Sequence, residues 1–311
     1  MTSKLDPDDR ALTRVETSPA RAGDAISRRV ILRRMGAALI AAPLVPLLSC
    51  DQSNPANAGD AGTGAGGAAG ADGAASADSS GVSWATGGTA AMRDKTSYPN
   101  PFASGSTSAC ALSCAMTVGP CYSAQSETVQ DISYGYDGLP TRIYLQILDE
   151  SCNPLSGATV DVWHVSAVGK YSGNDSANEN VAFCTGGDSD FTSHLYFRGK
   201  QTTDAKGVVF IDTCFPGWYS GRTIHIHMTV SVGDQAYVTT QLFFDDTLSD
   251  QIVATQPLYD TRGARDTTNQ NDSVISSSAV GDYLFETAKM TDGAMLAWKT
   301  LVLRSSLSTT L

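Results

Sequence analysis

The residues best suited to chemistry are few. Four histidines occur, His164, His194, His225 and His227, and two of them stand one residue apart in His225-Ile226-His227. Along a strand, residues i and i+2 point to the same face. This spacing sets two imidazoles side by side, close enough to share a metal ion. Ile226, Met228, Val230 and Val232 make up the opposite face, which is expected to be the core side. Spacing alone leaves two readings open. One is a metal pair. The other is two solvated or hydrogen-bonded histidines on a half-exposed strand.

The elements that must position this pair read as short strands. Arg142–Ile147, Ala158–Trp163, Val208–Ile211, Ile224–Val232 and Tyr237–Phe244 each have strand character, and Gly, Asn, Asp and Pro clusters separate them. Tyr283–Met290 and Met295–Leu303 flank Thr291-Asp292-Gly293, which reads as a hairpin turn. No window shows a helical period long enough to compete. The expectation is an all-β domain, a β-sandwich core with long loops.

The chain has 311 residues and a net charge of −11. In the first 49 residues basic side chains outnumber acidic ones, so the acid excess falls on the remainder. A body this acidic repels polyphosphate and excludes nucleic acid as a partner. The long apolar run lies near the N-terminus, which excludes a multispan membrane protein. Ser27-Arg28-Arg29-Val30-Ile31-Leu32-Arg33 matches a twin-arginine export signal, and an apolar segment follows from Ala37 to Leu48. That segment ends in Leu47-Leu48-Ser49-Cys50, a lipobox pattern, so Cys50 is the expected lipidation site. Residues 1–49 are expected to be a twin-arginine and lipoprotein signal peptide. Residues 50–95, rich in Gly, Ala and Ser, are expected to be a disordered, flexible linker, because little in them is apolar enough to offset the entropy of ordering. The folded domain is expected over 96–311, exported and held at a membrane by lipid. Cys110, Cys114, Cys121, Cys152, Cys184 and Cys214 remain. In an exported domain disulfides are the default, with the pairing open.

The surroundings of the histidine pair carry more. Pro216-Gly217-Trp218-Tyr219-Ser220-Gly221-Arg222-Thr223 leads into His225. Upstream stand Val160-Asp161-Val162-Trp163-His164 and Gly169-Lys170-Tyr171-Ser172-Gly173. Gly119-Pro120-Cys121-Tyr122, Phe197-Arg198-Gly199, Thr240-Gln241-Leu242-Phe243-Phe244 and Arg262-Gly263 continue the series in order. Together, over about residues 110–272, these motifs resemble the intradiol ring-cleavage dioxygenases. That family uses Fe(III) to open catechols between the two hydroxyl-bearing carbons. The resemblance implies one Fe(III) per domain, with Tyr171, Tyr219, His225 and His227 as ligands. It implies a small aromatic diol and O2 as reactants and a muconate-type diacid as product. A phenol has an ordinary pKa of about 10, and a bound ferric ion lowers it by direct charge stabilisation. Tyr219 is implied as the ligand that gives way to substrate and helps take up its proton. Arg222, three residues before His225, is implied to stabilise charge developing on the ring. Gln241 and Tyr122 are implied to line the substrate pocket, beside Arg222. Exported relatives also imply a Cys110–Cys152 disulfide.

The sequence departs from the family pattern in places. Val118 precedes Gly119 where an acid is usual, Cys121 replaces an aromatic, and Thr223-Ile224 replaces Pro-Ala. These positions bear on the pocket wall more than on the iron ligands. Two other readings stay open. One is a non-catalytic exported β-sandwich that binds a ligand. The other is a Zn-dependent hydrolase that takes a third ligand from His164 or His194.

Overall fold

The computed structural model describes residues 81–304 apart from residues 94, 106–109, 176 and 278. The expected signal peptide, Cys50 and most of the expected linker lie outside the described residues.

Eight strands form two four-stranded sheets. They are β1 (Pro140–Asp149), β2 (Thr159–Trp163), β3 (Arg198–Thr202), β4 (Val208–Cys214), β5 (His225–Val232), β6 (Gln235–Phe243), β7 (Glu286–Lys289) and β8 (Met295–Leu303). One sheet has the order β4-β1-β8-β7 and the other β3-β2-β5-β6. Every pairing is antiparallel except β1 with β8. The main apolar core draws on both sheets. Ile143, Leu145 and Ile147 of β1 meet Val160 and Val162 of β2 and Ile226, Met228 and Val230 of β5. Their alternation is what a strand with one face turned inward requires.

Two smaller clusters cover the outer faces. Met92, Tyr98 and Phe102 pack on Tyr144, Val208 and Leu296 of the first sheet. Cys121, Trp163, Val165, Tyr171 and Cys184 cover the second. The first of these clusters includes Met92, which falls in the expected linker. Ala85, Gly88, Thr89 and Met92, expected as part of a flexible linker, instead pack on the domain. Ala85 N–H donates to the Gly293 carbonyl at 2.8 Å and Gly88 N–H to that of Gly138 at 2.9 Å. Gly88 has φ +63°, and a Cβ there would stand 2.6 Å from the Tyr136 carbonyl oxygen, so only glycine fits.

Three local expectations change. Val232 is exposed, because β5 ends there at a two-residue turn into β6. Of the strand expected over Tyr283–Met290, Glu286–Lys289 forms. A short helix, Val280–Tyr283, precedes β7, and the turn at Asp292-Gly293 then returns the chain into β8. A ten-residue helix, Asp246–Thr255, follows β6. Asp245 caps it by accepting from Leu248 N–H at 3.0 Å, and Ile252 and Val253 face the core. Two five-residue helices, α1 (Val181–Thr185) and α2 (Ser189–Ser193), lie in the connection from β2 to β3. Among the described residues no helix is long and apolar enough to cross a membrane.

Candidate active site

β5 sends Ile226 inward, so His225 and His227 point to the outer face. That face is not half-exposed. Both histidines are 2% exposed, because loops fold over it. Cross-strand register sets a row on this face: Trp163 of β2 lies opposite His227, and Gln241 of β6 opposite it on the other side. The Trp163 ring stacks on His227, with centroids 5.0 Å apart and planes 7° apart.

Four donor atoms gather here. His225 Nε2 lies 3.1 Å from His227 Nε2, 3.4 Å from the Tyr171 hydroxyl and 3.3 Å from the Tyr219 hydroxyl. His225 Nδ1 donates to the Thr223 carbonyl at 2.6 Å. A carbonyl can only accept, so the Nδ1 carries the proton and Nε2 presents its lone pair inward. Burial pushes the His225 pKa down to about 3 and that of His227 well below its ordinary value. Burial also pushes the Tyr171 phenol well above 10 and raises Tyr219. Two neutral imidazoles and two neutral phenols thus converge at the floor of the site. A cation there would satisfy all four and convert the phenols to phenolates. Two oxygens and two nitrogens suit a hard ferric ion. Among the described residues there is no cluster of three or more His, Cys, Asp or Glu side chains fit for a metal. The phenols are what make this set.

Arg222 stands beside the donors, held on two sides. Its Nε donates to Asp272 at 2.8 Å and its Nη2 to Gln241 Oε1 at 2.5 Å. Gln241 Nε2 in turn donates to the Thr117 carbonyl at 2.8 Å. Asp272, with a side chain fully shielded from solvent, also accepts from Thr223 N–H at 2.8 Å. One carboxylate therefore fixes both the guanidinium and the residue whose carbonyl orients His225. Its pKa lies below the usual range, because backbone donors and Arg222 outweigh the cost of burial. This role was not legible beforehand, since Asp272 lies 47 positions from His225 and its residue type alone does not link it to Arg222.

A cavity of about 500 Å³ opens above the donors, lined by Tyr171, Tyr219, Arg222 and His227 and by Gly119, Pro120 and Cys121. Gly119 has φ +76°, and a Cβ there would come 3.2 Å from the His227 ring, so glycine is required. Cys121 is bonded to Cys184, and Cys184 accepts the Tyr171 N–H at 2.9 Å. Arg198, nearly fully buried, ties the same loops. It donates to the Ser172 carbonyl at 2.7 Å and the Cys121 carbonyl at 2.6 Å.

The expected residues fall as follows. Tyr171, Tyr219, His225, His227 and Arg222 come together. Gln241 is fully buried behind Arg222 and does not line the cavity. Tyr122 does not line it either. The disulfide commits Cys121 to the cavity side, and Tyr122 packs edge-on against Trp163 at 4.9 Å. His164 and His194 lie elsewhere. His164 is bonded at both ring nitrogens, to the Val165 carbonyl at 2.7 Å and Thr213 Oγ1 at 2.8 Å. His194 is exposed and stacks on Tyr196. Neither is placed to serve as a third zinc ligand. Cys110 is bonded to Cys152, and Cys214 is free and buried.

Residues 117–286 match the Dioxygenase family model, Dioxygenase_C. The chain belongs to the intradiol ring-cleavage dioxygenase family. It is 28% identical over 111 residues to chlorocatechol 1,2-dioxygenase from Pseudomonas sp. strain P51, a match covering 30% of this chain and 38% of that enzyme. The likeness thus spans about two fifths of the relative's length. An intradiol ring-cleavage dioxygenase from Tetranychus urticae shares the fold with TM-score 0.56 at 23% identity, over 65% of this chain and 98% of that one. A second solved dioxygenase gives TM-score 0.53 at 22% identity over the same shares.

Proposed function

We propose that this chain is an Fe(III)-dependent intradiol dioxygenase that opens a catechol-type ring with O2 to a muconate-type diacid. The observation that carries the reading is the meeting of Tyr171, Tyr219, His225 and His227 beneath a cavity walled by Arg222. When bound, ferric iron supplies a Lewis acid that holds the diol as its dianion and polarises the ring. The protein supplies the rest. Tyr171 is buried and held by its backbone bond to Cys184, which suits a permanent ligand. Tyr219 lines the cavity and is half-buried, which suits the phenol that takes up a substrate hydroxyl proton. Arg222, fixed by Asp272 and Gln241, sets a positive charge where negative charge grows on the ring. Trp163, stacked on His227, and the loop at Gly119 hold that ring in place.

The test is metal analysis and the visible spectrum of purified protein, beside oxygen uptake on a panel of catechols. Stoichiometric iron, a phenolate-to-iron band and a diacid product are expected. Zinc in place of iron would favour the hydrolase. Iron with no oxygen uptake would favour a binding module. A yellow semialdehyde product would contradict intradiol cleavage. We also propose that the domain is exported and anchored at Cys50, on the strength of Ser27–Arg33 and the lipobox. Cys50→Ala should release it from membranes or leave the precursor unprocessed, and unchanged mass and membrane association would oppose the idea.

A further inference from the structure

The cavity is larger than one ring needs. An apolar cavity of about 150 Å³ holds a benzene molecule, whereas this one measures about 500 Å³ and opens to solvent. Its rim carries Phe183, which is 73% exposed. Among the described residues no other large hydrophobic is so exposed. Together with Pro120, the Cys121–Cys184 bridge and Val274, the phenyl ring makes a continuous apolar lining rather than a lone exposed side chain.

Phe183 is not on a loose strap. It sits in α1, next to Cys184, which is covalently bonded to Cys121 and accepts the Tyr171 N–H. Gly186 closes α1, its N–H donating to the Phe183 carbonyl. The ring is therefore presented outward from a pinned element, on the same cavity wall as Pro120 and the Cys121–Cys184 bridge, with Val274 also lining the cavity. These surfaces are apolar.

Charge narrows the ligand further. Among the described residues lining the cavity, Arg222 is the only cation, and Asp272 and Gln241 already hold it. A carboxylate on the substrate would have to share that one cation with Asp272 and with the charge growing on the ring, in a chain of net charge −11.

We propose that Phe183, Pro120 and the Cys121–Cys184 bridge form a second subsite that takes an uncharged aromatic or apolar substituent on the diol, so that the substrate is an aryl-extended catechol and not a carboxylated one. This rests on the dioxygenase reading only in placing the diol at the four donors. Ring–ring contact and burial of apolar surface supply the recognition.

The experiment compares catechol, 4-phenylcatechol and 3,4-dihydroxybenzoate with the full iron-loaded chain, by oxygen uptake. It adds calorimetric binding of 4-phenylcatechol to metal-free protein. The 4-phenylcatechol should have the highest kcat/KM and 3,4-dihydroxybenzoate the lowest. Phe183→Ala should lower the ratio of kcat/KM for 4-phenylcatechol over catechol by about fivefold to tenfold, chiefly through KM. Phe183→Tyr, which keeps the ring, should restore it. The same variants should weaken and restore binding to the metal-free protein. A ratio unmoved by Phe183→Ala, or a preference for 3,4-dihydroxybenzoate, would overturn the subsite. Phe183-dependent binding of 4-phenylcatechol with no turnover of any diol would uphold the subsite and refute the dioxygenase reading.

Discussion

Arg222 is a flexible side chain that the fold makes rigid. Bonds to Asp272 and Gln241 at two separate nitrogens leave the guanidinium little freedom. Preorganised charge of this kind contributes most where water is excluded. The roles of ligand and charge should therefore separate on mutation. His225→Ala or His227→Ala removes a donor, so iron content, colour and ring cleavage should fall together. Arg222→Ala should keep the iron and most of the colour while turnover drops on the order of 10²–10³-fold. Asp272→Asn tests the support behind Arg222. The amide still offers an oxygen to Thr223 N–H but no charge to the guanidinium. Iron and the visible band should persist while kcat falls about tenfold to a hundredfold with KM little changed, since misplacement of a catalytic group acts on the chemical step. Loss of iron in this variant would show a structural role at His225 instead.

At the scale of elements, alternation made β5 legible and also set the limit of that legibility. Ile226, Met228 and Val230 announce an inward face, and His225 and His227 must then share the other. What covers that other face comes from loops far away in sequence. Strand period carries no information about them, so spacing alone leaves a metal pair and a half-exposed pair both open, whereas Trp163, Tyr171 and Gly119 in fact close over the histidines. The helix Asp246–Thr255 was missed because it is short and only two of its apolar residues, Ile252 and Val253, are buried. Its Asp245 cap is legible in hindsight. The packing around Gly88 is not legible in sequence, because Gly and Ala there signal entropy, whereas the fold uses Gly88 for close backbone approach. That segment leads into a buried ion pair between neighbouring strands. Arg142 of β1 meets Asp212 of β4 at 2.7 Å, under Tyr98, with both side chains at most 4% exposed. Asp212→Ala leaves that guanidinium buried without its carboxylate. It should cost about 3–5 kcal/mol, measured by urea unfolding. A change under 1 kcal/mol, on the order of an exposed pair, would show that water reaches the site.

Across the whole molecule, the two sheets are joined by more than apolar contact. His164 follows β2 in one sheet, and its Nε2 accepts from the Thr213 hydroxyl on β4 of the other, while its Nδ1 donates to the Val165 carbonyl. The ring is fully buried, and burial, with a smaller push from the Arg198 charge, lowers its pKa from 6.5 to about 4. The unfolded chain takes up this proton near pH 6.5 and the folded chain only near 4. Between those values the unfolded state binds more protons, so stability falls as the pH falls. The contribution is complete above about pH 6.5 and lost below about 4, and its full size is about 3 kcal/mol. Iron-loaded protein is the right sample, because bound metal keeps His225 and His227 from titrating with it. Unfolding free energy from urea titrations at intervals from pH 7.5 to 4 should decline along this limb. His164→Gln keeps a donor and an acceptor for the same two partners but cannot titrate, so its acid limb should be shallower by roughly that amount. An acid limb equally steep in both proteins would mean that His164 does not govern it, and that protonation of paired carboxylates such as Asp212 carries the loss instead.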